Sequence, residues 1–235
     1  MSYAVKEIYY TLQGEGHHTG RRAVFLRFAG CNLWSGREED RERAVCRFCD
    51  TDFFGTDGPG GGTFASAGEL ADRVLSVWET GVVLAANGNP VASLSLALPR
   101  SSSPCNNGHP FVVCTGGEPL LQLNPPLVGA LHDRDFEIAV ETNGTVVPPP
   151  GIDWLCVSPK AGADLVVESG DELKLVFPQA EAMPAQYEHL SFRHFYLQPM
   201  DGPELAANTK AVVNFCLKNP GWKVSLQTHK ILNIP

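Results

Sequence analysis

What this sequence lacks narrows it first. No apolar run reaches the roughly 18 residues that a membrane-crossing helix needs. The opening "MSYAVKEIYYTLQGEGHH" has neither the basic start nor the apolar stretch of a secretion signal. A cytoplasmic protein without a membrane partner is therefore expected. Basic charge is also short: 18 Lys and Arg stand against 26 Asp and Glu, a net charge of −8. That balance argues against a broad electrostatic grip on nucleic acid and suits a small substrate. The hydrophobic content of 43% against 19% charged residues describes a globular chain with enough apolar surface to fold. Its 235 residues fall within the range of one domain, and a single domain over 1–235 is expected.

The most pointed shortage is of a fourth cysteine. The stretch "FAGCNLWSGREEDRERAVCRFCDTD", residues 28–52, carries Cys31, Cys46 and Cys49 and then stops. Thiolate metal sites usually close with four ligands. The other cysteines, Cys105, Cys114, Cys156 and Cys216, are scattered singly, and for those in apolar surroundings a buried inert thiol is the ordinary reading. A reducing compartment makes a disulfide framework improbable. From spacing alone two readings stay open. One is a zinc site that borrows Cys105, Asp50 or a histidine. The other is a cubane iron–sulfur cluster with three irons held by protein and the fourth free for an external ligand, such as the amino and carboxylate groups of S-adenosylmethionine.

Short β-rich runs recur: "AVFLRFAG", "FVVCTGG", "FEIAVETNG", "DWLCVSPK", "ELKLVFP", "HFYLQPMDG" and "WKVSLQTHK". They are largely continuous apolar runs, which favours strands buried on both faces of a parallel sheet. Helical patterns lie between some of them. "SAGELADRVLSVWE" opens with Ser66 and Glu69 at capping-box spacing and sets Leu70, Val74 and Val77 on one stripe. "PPLVGALHDRD" and "PAQYEHL" start with proline, as helix first turns often do. "GPELAANTKAVVNFCLKNP" stops at Asn219-Pro220. "TVVPPPG" is too rich in proline for a crossover helix. With roughly four helices, an α/β fold built as an incomplete, compact (βα) barrel is expected, its chemistry at the carboxyl ends of the strands. The stretch 81–109 is an irregular insertion in this scheme, long for a loop. Part of it fits a hairpin on Asn87-Gly88 with Leu94, Leu96 and Leu98 alternating.

"VVCTGGEPL" adds Gly116 and Gly117 at a strand end, followed by Glu118-Pro119; paired glycines let backbone N–H groups approach an anionic ligand. With the cysteine loop one unit upstream, the chain resembles radical S-adenosylmethionine enzymes, which share a partial barrel, three cluster cysteines after the first strand and a GGE-type motif after the second. Their first two cysteines usually stand four positions apart. Here fourteen residues separate Cys31 from Cys46, and the charged "NLWSGREEDRERAV" is expected to bulge outward. Together with "TLQGEGHHTGRRAVFLRFAGCNLW", "CDTD", "ETNG", "SPK", "QPMDG" and "QTHKILNIP", the chain is similar to the 7-carboxy-7-deazaguanine synthase family nearly end to end, apart from 81–109.

The resemblance implies rearrangement of 6-carboxy-5,6,7,8-tetrahydropterin to 7-carboxy-7-deazaguanine with loss of ammonia, on the route to queuosine in tRNA and related deazapurines. It implies a [4Fe-4S] cluster on Cys31, Cys46 and Cys49, S-adenosylmethionine, and Mg2+ with Thr51 as a ligand. Phe48, Cys49, Asp50, Gly117, Ser158, Pro159, Lys160, Gln198, Pro199, Met200 and Asp201 would line the S-adenosylmethionine pocket. Leu12, Gln13, Gly14, Arg27, Thr115 and Pro235 would contact the pterin, with the Pro235 carboxylate at the mouth. A flavodoxin or ferredoxin as electron donor and a homodimer are implied as well.

Several of these residues also have a chemical reading of their own. Arg27 ends an apolar strand, where a guanidinium needs a partner, either a substrate carboxylate or a structural ion pair. Glu15 and Glu141 offer acceptors to the donor-rich edge of a pterin, against helix capping or solvent exposure. His229, expected in the last strand, either hydrogen-bonds substrate or satisfies a core contact. No residue is a firm catalytic acid or base; Glu15, Glu141 and His229 are the candidates. Lys160 is alternatively a solvated strand-end lysine, and His17 and His18 read as surface residues. A glycyl-radical-activating enzyme and a non-catalytic zinc-binding module are the competing functions.

Overall fold

The structure is a computed structural model that describes residues 2–84, 90–93 and 109–235. Among the described residues eleven strands form one sheet, and the parallel run carries the site. That run is β2 (Arg22–Phe28), β6 (Phe111–Gly116), β7 (Glu137–Thr142), β8 (Trp154–Val157), β9 (Ser169–Phe177), β10 (Ser191–Pro199) and β11 (Trp222–Val224). On the far side of β2 lies antiparallel β1 (Tyr3–Leu12), paired in turn with β3 (Gly62–Phe64) and β4 (Val82–Leu84). β5 (Pro90–Ser93) pairs antiparallel with β4. The sheet runs from β11 at one end to β5 at the other, so within the described residues the barrel is open.

The helices follow their local signals. In α1 (Ala67–Thr80), Ser66 accepts a hydrogen bond from Glu69 N at 3.2 Å, and Gly81 closes the helix in the left-handed region at φ 57°. Leu70, Ala71 and Val74 form its buried stripe. α2 (Pro125–His132) is capped by Asn124, whose side chain accepts from Leu127 N at 3.1 Å. α3 (Leu205–Lys218) ends at Asn219, before Pro220.

Three expectations are corrected. β1 was not among the expected strands, since Lys6, Glu7 and Thr11 interrupt its apolar character. "PAQYEHL" makes only a 3-10 turn, Pro184–Gln186, because the chain must enter β10 at once. "WKVSLQTHK" is a strand only over its first three residues; a short helix α4 (Thr228–Leu232) follows, so His229 is helical. The parallel strands are buried on both faces, as expected, and their successive residues point alternately outward and into the barrel. The antiparallel pairing of β4 with β5 brackets the expected hairpin, while Asn87-Gly88, Leu94, Leu96, Leu98 and Cys105 lie outside the described residues.

That alternation positions the site. Val24, Leu26 and Phe28 of β2, Val112 and Cys114 of β6, and Ile138 and Val140 of β7 point outward into the core beneath α1 and α2. Leu173, Leu175 and Leu197 do the same beneath α3. The intervening residues point into the barrel, where Tyr9, Ala23, Phe25, Phe111, Val113 and Ala139 pack as an inner cluster. Farther along the same inward rows come Arg27, Thr115, Glu141 and Lys174, so the interior turns from apolar to polar toward the strand carboxyl ends. Among the described residues no helix is long and apolar enough to cross a membrane.

Candidate functional site

A cavity of about 330 Å³ opens at the carboxyl ends of the parallel strands. Its floor is a buried charge network. Lys174 donates to Glu15 Oε2 at 2.6 Å and Glu141 Oε1 at 3.2 Å. Gln13 Nε2 reaches Glu141 Oε1 at 3.1 Å, and Gln227 Nε2 reaches Glu15 Oε1 at 3.1 Å. Burial opposes ionisation of Glu15, but the Lys174 ammonium and the Lys174 and Gln227 hydrogen bonds outweigh it and hold the carboxyl below its ordinary range. Burial likewise opposes the charge on Lys174, yet Glu141 and Glu15 raise its pKa well above the usual ammonium value. Glu15 therefore stays ionised, and both carboxylates face the cavity as acceptors.

Arg27 enters from β2. Its Nε donates to Glu7 Oε1 at 2.7 Å and its Nη2 to Tyr9 Oη at 2.7 Å. The structural ion pair weighed for Arg27 is present, and the guanidinium also lines the cavity. Tyr9 stacks on Phe25 with centroids 5.5 Å apart, which fixes this wall.

The cysteine loop forms the opposite wall. The fourteen-residue insertion folds back on itself, with Val45 N donating to Leu33 O at 3.0 Å. It carries an exposed 3-10 turn, Glu38–Arg43, so it does bulge outward. Arg41 pins it: Nη1 donates to the carbonyls of Arg47 at 2.8 Å and Cys49 at 3.0 Å, and the guanidinium lies 4.1 Å from the Trp34 ring centre. Trp34 meets Phe53 edge-on at 5.4 Å, and Cys31 and Cys49 pack against this pair. A hydrogen bond from Cys46, with help from Lys160, lowers the Cys49 thiol to about 6 despite burial, while the same bond raises Cys46. Cys31 is raised by burial and is close enough to feel the charge of Cys49.

No three His, Cys, Asp or Glu side chains among the described residues converge tightly enough to hold a single metal ion. The three thiols nevertheless fit an iron–sulfur cluster as a donor set. They are soft ligands, sense one another electrostatically, and a cluster spreads its cysteines over separate irons. No described cysteine stands by as a fourth: Cys114 and Cys156 are buried in the sheet and Cys216 lies on α3.

The glycine pair packs against this loop. A Cβ on Gly116, at φ 133°, would overlap the Phe28 backbone, and one on Gly117 would overlap Gly30 O and come within 2.8 Å of Cys31 Cβ. Glu118 is fully buried and works as a strut. It accepts from Leu120 N at 3.0 Å, Thr142 Oγ1 at 2.8 Å and Asn143 N at 2.8 Å, which locks the loops after β6 and β7 together.

Lys230 ties the mouth. Its Nζ donates to Asp50 Oδ2 and Asp201 Oδ2, both at 2.6 Å, and to Gln227 Oε1 at 2.9 Å. Thr228 anchors α4 on Gly14 O through its backbone N–H and hydroxyl, and Thr11 Oγ1 donates to Pro235 O at 2.8 Å.

The cavity gathers Leu12, Gln13, Gly14, Arg27, Thr115 and Pro235, together with Glu15, Glu141 and His229. It also gathers Phe48, Asp50, Thr51, Gly117, Ser158, Lys160, Gln198, Pro199 and Asp201, beside Cys46 and Cys49. Cys31, Pro159 and Met200 do not line it. Lys160 is tied to Ser158 O and Oγ at 2.7 and 2.6 Å rather than simply solvated. Of the two histidines read as surface residues, His17 is exposed, but His18 turns inward and its Nε2 is buried. Sequence reasoning missed Glu7, Tyr9, Lys174, Gln227 and Lys230. For Lys174 a signal existed: "ELKLVF" places charges at alternate positions of an otherwise apolar strand, which is the period of one face.

No family model matches the chain. Among curated proteins it is similar to the 7-carboxy-7-deazaguanine synthases of Bradyrhizobium diazoefficiens, 55% identical over 234 residues, and Bordetella pertussis, 55% over 235. It is also similar to that of Nitratidesulfovibrio vulgaris, 51% over 238 residues; each match covers 100% of both chains. Among solved structures, the crystal structure of QueE from Escherichia coli aligns with a TM-score of 0.66 at 24% identity, covering 96% of this chain and 94% of that one, a likeness of fold.

Proposed function

The chain belongs to the 7-carboxy-7-deazaguanine synthase family, and on that premise we propose that it converts 6-carboxy-5,6,7,8-tetrahydropterin to 7-carboxy-7-deazaguanine with release of ammonia. The observation that carries the reading is the meeting, around one cavity, of the cysteine loop, through Cys46 and Cys49, and an acceptor-rich floor bridged by Lys174. Cys31, Cys46 and Cys49 hold a [4Fe-4S] cluster, and S-adenosylmethionine occupies the side of the cavity bounded by Phe48, Asp50, Gly117, Ser158, Lys160, Gln198 and Asp201. When bound, these groups supply hydrogen-atom abstraction; the protein supplies position and excludes water.

Glu15 and Glu141 accept hydrogen bonds from the pterin N–H groups. Arg27, already oriented by Glu7 and Tyr9, presents its remaining donors to the substrate carboxylate. His229 packs against Gly14 from α4 and closes the substrate side. Thr51 contributes a hydroxyl to Mg2+. The neighbouring Asp50 and Asp52 are neutralised by Lys230 at 2.6 Å and Lys6 at 2.9 Å, so most other ligands of this ion come from substrate and water, as is usual for magnesium. The site residues act within one domain, a flavodoxin or ferredoxin delivers the electron, and the enzyme works as a homodimer.

The test is anaerobic. The purified protein is expected to be brown, to contain iron and sulfide, and to form 7-carboxy-7-deazaguanine and ammonia from the carboxytetrahydropterin with S-adenosylmethionine, reductant and Mg2+. Absence of that product from protein with an intact, reducible cluster would overturn the assignment. A colourless protein with stoichiometric zinc would overturn the cofactor reading as well.

A further inference from the structure

Below the charged floor lies a second cavity, about 10 Å³ in volume, facing Glu15, Glu141, Cys156, Trp154, His18 and Glu172. Two buried side-chain atoms among the described residues have no hydrogen-bond partner, His18 Nε2 and Glu172 Oε1, and both residues face this cavity. Buried polar atoms left without a partner are costly, so both call for one. The volume is about that of one water, and the walls offer the polar partners an internal water needs.

The surroundings fix both groups. Glu172 is 3% exposed, and its Oε2 accepts from His17 N at 3.1 Å and Trp154 Nε1 at 3.4 Å. Gly16, at φ 65°, lets the β1–β2 loop press on Oε1, where a Cβ would collide with the carboxylate. The His18 ring stands edge-on to Trp154 at 4.4 Å and Phe111 at 5.1 Å. His18 is half-buried, so one edge reaches the cavity while the ring spans toward solvent at the strand amino ends. Burial, Arg21 and His17 together depress its pKa to about 4 against the opposing charges of Glu137 and Asp171, so the ring is neutral at neutral pH. Burial raises Glu172 against the pull of Lys174 and the His17 and Trp154 hydrogen bonds, with Glu141 adding to the rise.

We propose that this cavity holds one ordered water joining His18 Nε2, Glu172 Oε1 and the Glu141 carboxylate, and that His18 is the port through which protons reach the active-site floor from the end of the barrel opposite the mouth. The purpose of the port rests on the reading given under Proposed function. Elimination takes a proton from carbon and delivers one to the departing nitrogen, and ammonia leaves as ammonium at neutral pH, so each turnover draws a proton from solvent. With substrate and cofactor filling the mouth, the floor needs another route. The His18 Nε2–H passes its proton to the water, which keeps one O–H hydrogen-bonded to Glu172 Oε1 and releases its other proton to Glu141. His18 simultaneously gains a solvent proton at Nδ1, so charge on the ring and the water is unchanged. Nε2 is closed off from solvent in this position, so an outward swing of the half-buried ring, which lets the tautomer exchange there, resets the port. His18 is thus a positioning and relay residue, not one that touches substrate.

A high-resolution crystal structure of the full chain tests the water without reference to activity. A peak at roughly 2.6–3.2 Å from both His18 Nε2 and Glu172 Oε1 is expected; a dry cavity, or a direct bond between the two atoms, overturns the proposal. His18→Gln keeps a polar group near the water but cannot relay, and kcat should fall on the order of tenfold with KM unchanged. In His18→Ala, added imidazole should restore kcat. Unchanged kcat in the first variant, or no rescue in the second, overturns the relay. If the unaltered, cluster-bearing protein forms no deazaguanine, the functional reading fails by itself, and the crystallographic result still decides the water site.

Discussion

Lys174 is the shared cation of the charged floor. It is 4% exposed and lies within reach of Glu15 and Glu141. Lys174→Met would leave two buried carboxylates without their cation, at a cost of about 3–5 kcal/mol, read by chemical denaturation. The pH dependence should invert as well. In the unaltered protein Glu15 has a depressed pKa, so its contribution is complete above the unfolded value of about 4.3 and is lost as pH falls through the lower folded value. Lys174, with a raised pKa, contributes fully below its unfolded value of about 10.4 and loses its contribution only as pH rises through the higher folded one. Without the lysine, the burial that opposes ionisation of Glu15 loses its strongest counterweight, and the Glu15 carboxyl rises. The native state then binds more protons than the unfolded chain, and stability falls as pH rises from 4 to about 7. A variant whose stability still rises across that range would contradict the assigned network. Gly117→Ala forces a methyl group into the Gly30 carbonyl beside Cys31, and lowered iron content after anaerobic reconstitution is the expected outcome.

How much of the site was legible differed residue by residue. Gln13, Gly14, Gly117 and Thr115 stood in recognisable motifs, and all line the cavity. Glu15 and Glu141 were singled out as pterin acceptors, but their shared cation was not, because it lies 159 and 33 positions away in sequence. Glu7 and Tyr9 were invisible for the same reason: their role arises from pairing with Arg27 across β1 and β2.

Elements fared according to how local their signals are. α1 carries cap, stripe and stop in its own residues, α3 carries its stop at Asn219-Pro220, and both formed as expected. α4 did not, since five residues hold no readable period and its helix depends on Thr228 anchoring to Gly14. The insertion between Cys31 and Cys46 is stabilised mainly through Arg41, which touches Trp34 and two carbonyls flanking the cysteine pair. Arg41→Ala is therefore expected to speed iron loss to a chelator at least several-fold, while the melting temperature of the cluster-free protein shifts by no more than a few degrees. Equal chelation rates would show that the insertion holds its shape without that arginine.

For the whole molecule, two adjacent residues of β2 separate the barrel's two jobs. Leu26 points outward into the core and is fully buried, whereas Phe25 points inward, stacks on Tyr9 and borders the cavity. Leu26→Ala should cost about 2–5 kcal/mol with KM for the pterin nearly unchanged. Phe25→Ala should raise that KM several-fold, because the wall carrying Tyr9 and Arg27 loses its support. Similar KM values for the two variants would contradict the two-sided reading.

Order of synthesis gives the strap at the mouth one more consequence. Gln227, His229 and Lys230 leave the ribosome after every strand of the sheet, yet they complete a wall that begins at Gln13 and Asp50. A nascent chain can thus assemble its barrel and expose its thiols for metal loading while the chamber is still unroofed. The chamber is sealed only once α4 has followed the strands, which keeps reactive chemistry away from a half-made wall.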